Sequence, residues 1–339
     1  MELIKSGTNF DFVGTRKWPI AISLILTVVT TVSFFTRGLN LGLDFTGGTL
    51  VELIYAEAVD VSKVRDELAA NGFGDAVVQH FGTTRDVMVR IPLQPGKESA
   101  ELSSTLINVL RQGLGETTVE SRPGETQKCT KGTTQTITDC QMQVRRVEFV
   151  GPQVGGELVE KGGLALIYTS IAILIYVMFR FEWRFAVASI VASVHDVWLT
   201  FGFFSLTQME FSLSALAAIL AVLGYSLNDT IVVFDRIREN FRKMRRASVT
   251  EIMNASINQT LSRTIITSGT TMLTVLALFF LGGEIVRSFS TALIVGIVAG
   301  TYSSIYIATP SVLALRISRE HLSVAKKEAT GANRPSTGG

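Results

Sequence analysis

Four ionisable residues lie inside or at the margins of long apolar runs: His195, Asp196, Asp229 and Arg263. A charge in hydrocarbon costs from about 2.5 to more than 10 kcal/mol, so such residues face a protein interior and often do a job there. Asp229 with Arg263 is the pair whose chemistry would be proton exchange, because a buried carboxylate beside a guanidinium can titrate near neutral pH. The plain alternative is a structural salt bridge between the two. Thr264, Thr267, Thr271 and Thr274 follow Arg263 at helical spacing, a hydroxyl-rich face able to solvate water or a migrating proton. His195 and Asp196 belong either to the same pathway or to a polar pair that hydrogen-bonds neighbouring helices. Asp235 and Arg236 sit at a membrane boundary, where snorkelling accounts for them.

Two other groups invite chemistry. Asp44, Phe45, Gly47 and Gly48 stand in the segment LDFTGGT at 43–49. A glycine pair can cradle phosphate, but no G-x-x-x-x-G-K-[ST] occurs in the chain. A tight backbone approach between the membrane part and the domain outside it is the expected reason for the pair. Cys129 and Cys140 are the two cysteines of the chain. In an oxidising compartment they would close a loop of about 12 residues, worth roughly 2–4 kcal/mol; the alternative is two exposed thiols. H-E-x-x-H, G-x-S-x-G and Cys/His metal spacings are missing. The chain is therefore expected to be no enzyme and to use no metal or cofactor, with its energy drawn from a gradient or a partner.

The elements that must position these residues are membrane helices. Of 339 residues, 47% are hydrophobic and 18% charged, against roughly 25% charged in ordinary globular domains. A net charge of +2 and no basic stripe exclude nucleic acid as a partner. A span needs about 20 apolar residues, which predicts six of them: 18–36, 164–179, 185–206, 211–235, 264–281 and 288–315. The first reads as an uncleaved anchor, since no small-x-small site follows it. With residues 1–17 inside, the inner segments and the tail 316–339 hold sixteen Lys and Arg, whereas the outer loops 207–210 and 282–287 hold Arg287 alone. Both termini are thus expected in the cytoplasm, with a disordered tail. The polar segment 37–163 is expected outside.

That outer segment alternates strand and helix patterns. Strands are predicted at 49–56, 76–81, 86–91 and 144–150, and helices at 61–71 and 99–114. The order β-α-β-β-α-β is the ferredoxin-like pattern, which implies no activity by itself. Between the second helix and the last strand, 116–143 reads as a polar, Thr- and Gly-rich loop carrying both cysteines.

Longer motifs then become specific. GLDFTGGT at 42–49, RRVEFVGPQVG at 145–155, FRFEWRFA at 179–186 and GYSLNDTIVVFDRIREN at 224–240 resemble the SecF family of the bacterial Sec protein-export machinery. So do His195-Asp196-Val197, RTIITSGTT at 263–271 and GTYSSIYIA at 300–308. The resemblance covers residues 9–321. It implies a polytopic α-helical protein, six helices forming half of an RND-type bundle, with a ferredoxin-like α/β periplasmic domain between helices 1 and 2. It also implies an inner-membrane accessory subunit that pairs with SecD, with the SecYEG translocon, YajC, YidC and a translocating preprotein as further partners. The proton-motive force would drive late steps of export through Asp229 and Arg263, a second acid coming from SecD. The loop 116–143 departs from the family pattern. Rival readings are an efflux or lipid transporter half and a non-transporting translocon scaffold.

Overall fold

The structure, a computed structural model, describes residues 9–93, 99–119, 126–131, 134–283 and 286–317. Most of the expected tail, from 318 onward, lies outside the described residues. The chain divides into two compact units, 41–163 and the remainder.

The 41–163 unit begins with a single turn, α2 (Leu43–Thr46), after the first span α1 (Lys17–Arg37). Then come β1 (Gly48–Tyr55), α3 (Val61–Ala70), β2 (Val77–Phe81), β3 (Thr83–Ile91) and α4 (Ser99–Gly113). Strand β7 (Met142–Val150) completes an antiparallel sheet in the order β2-β3-β1-β7. This is the ferredoxin-like order that the sequence pattern predicts. Alternation drives it: Val51 and Leu53 on β1 and Val87, Val89 and Ile91 on β3 meet Val64 and Leu68 of α3 and Leu102, Leu106 and Leu110 of α4 in one buried core. Asp60 caps α3, its carboxylate accepting from the Ser62 N–H at 2.9 Å, and that bond holds its proton affinity below the usual carboxylate range.

The loop expected at 116–143 is structured instead. It forms a second antiparallel sheet of β4 (Glu116–Thr118), β5 (Lys128–Lys131) and β6 (Thr134–Asp139). These strands are short and Thr-rich, so they give no apolar alternation to read. Covalent and polar links replace a core. Cys129 and Cys140 are bonded across Cα atoms 4.9 Å apart. Arg111 of α4, itself buried, donates to Thr118 Oγ1 and Gln127 Oε1. Gln127 and Gln143 exchange two bonds at 2.7 and 2.8 Å, and the Gln141 N–H donates to Glu116 Oε1 at 2.8 Å.

The glycine pair also differs from expectation. Gly48 has φ +127°, and a Cβ there would stand 2.4 Å from the Ile91 carbonyl oxygen. A Cβ on Gly155 would stand 2.8 Å from the Phe45 carbonyl oxygen and 3.2 Å from the Gly47 nitrogen. The close approaches of this turn are thus made within the 41–163 unit, to β3 and to the start of α5 (Pro152–Arg180).

The other unit holds α1, most of α5, α6 (Trp183–Thr207), α7 (Leu213–Lys243), α8 (Val249–Leu281) and α9 (Arg287–Ser303). A π-helical turn, Ser304–Ala308, leads from α9 into α10 (Thr309–Ala314). Among the described residues, six helical segments are long and apolar enough to cross a membrane, α9 through α10 counting as one. Several outrun the predicted spans. Helix α8 begins at Val249 rather than 264, because Ser248 and Glu251 form a capping box and its first half is amphipathic, which hydropathy does not register. Arg263 therefore lies mid-helix instead of at the start. Helix α5 begins at Pro152 and α7 runs on to Lys243, each also longer than its predicted span. The π turn sits where Pro310 enters: a proline has no N–H to give and its ring crowds the preceding turn. The Thr309 hydroxyl donates to the Ser304 carbonyl at 3.1 Å.

Packing centres on α6, α7 and the α9 segment, of whose most apolar stretches 44%, 56% and 50% is buried, against 17%, 11% and 17% for α1, α5 and α8. Small residues allow it: a Cβ on Gly296 would lie 2.1 Å from Val222 Cγ2, and one on Gly300 2.9 Å from Ser226 Cβ. Residues 10–13 lie along the first half of α8, where Asn258 and Asn254 bond the backbone of Phe10, Phe12 and Val13.

Two outcomes follow for the 41–163 unit. Gly48→Ala adds both the contact with Ile91 and an unfavourable φ, at a cost of about 2–4 kcal/mol, and limited trypsinolysis of the purified chain should digest this unit faster than in the native chain. Cys129→Ala with Cys140→Ala removes a short cross-link worth about 3 kcal/mol. Differential scanning should then place the transition of this unit lower, with that of the helices unmoved.

Candidate functional site

Among the described residues, two buried carboxylates lie inside the helical bundle. The first is built on Asp196, midway along α6 and 1% exposed. Its Oδ2 accepts from the Ser226 hydroxyl of α7 at 2.5 Å and from the Ser303 hydroxyl of α9 at 2.7 Å. Its Oδ1 lies 3.1 Å from His195 Nδ1. His195 Nε2 in turn lies 2.5 Å from Ser23 Oγ on α1. One carboxylate thus ties α6, α7 and α9, and through His195 α1. Both of its oxygens thus have polar partners within the protein.

The second centre is Asp229 on α7, 3% exposed. Its carboxylate has one hydrogen bond, from the Ser268 hydroxyl of α8 at 3.3 Å. Ser268 Oγ is also reached by the Thr301 hydroxyl of α9 at 2.8 Å and by the Tyr225 hydroxyl at 3.2 Å. Asp229 therefore has one polar partner among the described residues, where Asp196 has three.

The sequence-predicted residues divide. Asp229 and Arg263 stand close enough for the guanidinium charge to act on the carboxylate, yet they make no ion pair within 4.0 Å, so the structural salt bridge is not formed in this structure. Arg263 is exposed on this chain. Thr267 is half-buried and donates to the Arg263 and Thr264 carbonyls at 3.0 Å each. Thr271 and Thr274 likewise bond their own helix, so the stripe's protons are directed to its backbone rather than across the bundle. Asp44, Phe45, Gly47, Gly48 and the Cys129–Cys140 disulfide belong to the 41–163 unit. Glu116 lies with the two sulfurs, ligand atoms within 4.8 Å of one another, but sulfurs bonded to each other are not the thiolates a metal takes.

Sequence reasoning missed the serines. Ser226, Ser268 and Ser303 are buried and supply the donors to both acids. The signal was present: Ser226 stands one turn before Asp229, and Ser268 follows Arg263 by five residues on the same helix.

The two acids are distinguishable by substitution. Asp196→Asn keeps the shape and one acceptor oxygen and should cost under about 1.5 kcal/mol. Asp196→Leu leaves Ser226 and Ser303 without their acceptor and should cost about 2–4 kcal/mol. Detergent-denaturation midpoints of the purified chain would report the difference, and equal midpoints would contradict the network.

Comparison with known proteins places this arrangement. Residues 130–318 match the family described as "Protein export membrane protein SecD/SecF, C-terminal", and residues 32–54 the "SecD/SecF GG Motif". The protein translocase subunit SecF of Vibrio alginolyticus is 45% identical over 331 residues, 98% of both chains. That of Escherichia coli O157:H7 is 40% identical over 338 residues, 99% of this chain and 97% of the other. Among solved structures, the crystal structure of SecDF, a translocon-associated membrane protein from a Thermus species, superposes with a TM-score of 0.75 at 38% identity. That match covers 91% of this chain but 39% of the Thermus chain, so this chain spans well under half of the longer protein. A SecDF structure in a super-membrane-facing form gives a TM-score of 0.63 at 37% identity, covering 96% of this chain and 41% of the other. Near-full-length identity to translocase subunits, the two family motifs and the six-helix unit with its inserted α/β domain together put this chain in the SecF family.

Proposed function

We propose that this chain works with SecD as an accessory subunit of the Sec protein translocase, using the proton-motive force to drive late steps of preprotein export. The site would be Asp229, taking up and releasing the proton, with Arg263 setting its field and Thr267 beside it. His195 and Asp196 hold the helices around that site. The observation that carries this reading is the contrast between the two buried acids: Asp229 has one long hydrogen bond, whereas Asp196 has three partners. One elementary charge crossing 100 mV releases about 2.3 kcal/mol, enough to bias a two-state element roughly fiftyfold.

The need for SecD follows from the outer faces of the bundle. Helix α8 presents Arg263, Thr267, Thr270 and Thr274 on a side that this chain covers little, and lipid cannot solvate a guanidinium there. A second half-transporter would cover it, and the Thermus relative is a longer chain named SecDF. The Lys- and Arg-rich loop after α7 argues for a cytoplasmic face there by charge bias. The 41–163 unit would then be periplasmic in a bacterial inner membrane, where a disulfide persists. SecYEG, with YajC and YidC, would be the assembly that delivers the preprotein.

Asp229→Asn tests the reading, since it keeps the shape and removes the titration. Export into inverted vesicles containing SecD should lose its stimulation by the proton gradient, while SecD still co-purifies with the variant. Arg263→Lys, which keeps charge but not the forked donor geometry, should be impaired several-fold. Full gradient stimulation in Asp229→Asn would make this acid a structural residue.

A further inference from the structure

Where α5 ends and α7 leaves its apolar stretch, three arginines crowd onto one acid. Arg180 closes α5, while Asp235, Arg238 and Arg242 follow one another along α7, at the three- and four-residue steps that share a helix face. Asp235 pairs with Arg180 at 3.1 Å and stands 3.9 Å from Arg238. Arg180 and Arg242 are both close enough for their charges to act on Arg238. Arg242 itself has no carboxylate within 4.0 Å among the described residues. Nearby cations have acids of their own: Arg236 and Lys243 share Glu239 at 2.9 and 2.6 Å, and Arg184 holds Glu182. The surplus of positive charge is therefore local to Arg180, Arg238 and Arg242.

Two of the three are also held in place. Phe181 is buried against Phe185 and Phe234, and its ring lies 4.8 Å from the Arg180 guanidinium and 5.4 Å from that of Arg238. Arg238 further donates to the Arg180 carbonyl at 3.1 Å. A guanidinium carries five N–H donors in a rigid fork, and these two commit one each at hydrogen-bond distance. Their depth is that of a membrane surface. Arg180 directly follows the apolar run 164–179, and Arg238 stands about 4–5 Å along the helix beyond the run 211–235. Phe179 is 90% exposed and Trp183 51%, aromatic side chains of the kind that settle at headgroup level.

We propose that Arg180 and Arg238, with Arg242 beside them, bind the phosphodiester of an anionic phospholipid of the phosphatidylglycerol type. Charge bias alone asks for basic residues at this end of the helices, but not for two of them fixed on one ring. Two forked donors from neighbouring helices match the two free oxygens of a phosphodiester. The surplus charge favours a lipid of net negative charge over a zwitterionic one. Phe179 and Trp183 supply apolar surface beside the arginines for the glycerol and upper acyl chains. A lipid held there joins the end of α5 to the end of α7 and braces the turn between α5 and α6. The site is independent of Asp229 and of any proton it carries.

The test titrates phosphatidylglycerol into the full chain, produced together with SecD and purified in mild detergent, and reads retained lipid by native mass spectrometry. Retention should be at least about tenfold tighter than for phosphatidylcholine with the same acyl chains. Arg180→Gln with Arg238→Gln should weaken it about tenfold. Arg245→Gln with Arg246→Gln removes the same charge from exposed positions in the following loop and should change it less than about twofold. Arg180→Lys with Arg238→Lys keeps the charge but not the fork, and should fall between the two. Arg242→Gln, which breaks no bond within the chain, should weaken retention about threefold and decides the matter if the Arg180 and Arg238 variants do not fold. A phosphatidylglycerol with a photoreactive group near its head should crosslink to residues 179–184 in the native chain. Equal weakening by the two Gln pairs would mean diffuse attraction to a basic face and would overturn the proposal. So would crosslinks confined to other peptides. Displacement of the lipid by millimolar inorganic phosphate would make this a free-anion site and overturn the lipid assignment.

Discussion

A carboxylate removed from water must take its hydrogen bonds from neighbouring helices, and the bundle is organised around that demand at Asp196. The acid sits on α6, yet its strongest donors come from α7 and α9, so α7 and α9 can reach it only if they approach each other closely. Gly296 and Gly300 make that approach sterically possible. Once α9 is in place, Thr301 falls within reach of Ser268, and Ser268 within reach of Asp229. The second acid therefore inherits its setting from the first. Exchanging either glycine for a large residue would separate helices whose spacing both centres share.

The same logic explains why three helices are well covered and three are not. A membrane offers apolar partners to Leu and Val but none to hydroxyls or guanidinium groups. Helices α6, α7 and α9 bury their polar residues on one another; α8 directs most of its threonines to its own backbone and leaves Arg263 outward. The exposed side of α8 is polar at intervals of one turn, which is the surface of a molecule half-assembled in this chain alone.

Much of this was legible from residue types. Apolar runs located six helices, and alternation located the four strands of the ferredoxin-like sheet, because those patterns are imposed by burial itself. The helix ends were less legible, since the first half of α8 is held by a capping box and one-sided packing rather than by hydropathy. The sheet at β4–β6 escaped because polar bonds from Arg111, Gln127 and Gln143, with one disulfide, do what apolar side chains do elsewhere. At the site, the acids were conspicuous and their partners were not. Serine is common in loops and spans alike, and only the folded arrangement tells which three face an acid.

Helix α8 has 33 residues, about 50 Å at 1.5 Å per residue, against a hydrocarbon core of about 30 Å. It is consequently about 20 Å longer than an upright crossing requires. Residues 10–13 are fastened to its first half by Asn254 and Asn258, about 8–14 Å along the axis from Arg263. A tilt of about 10° pivoting at Arg263 would carry the fastened segment by roughly 1–2 Å. Any change in the tilt of α8 would thus be shared by the amino-terminal segment bonded to it.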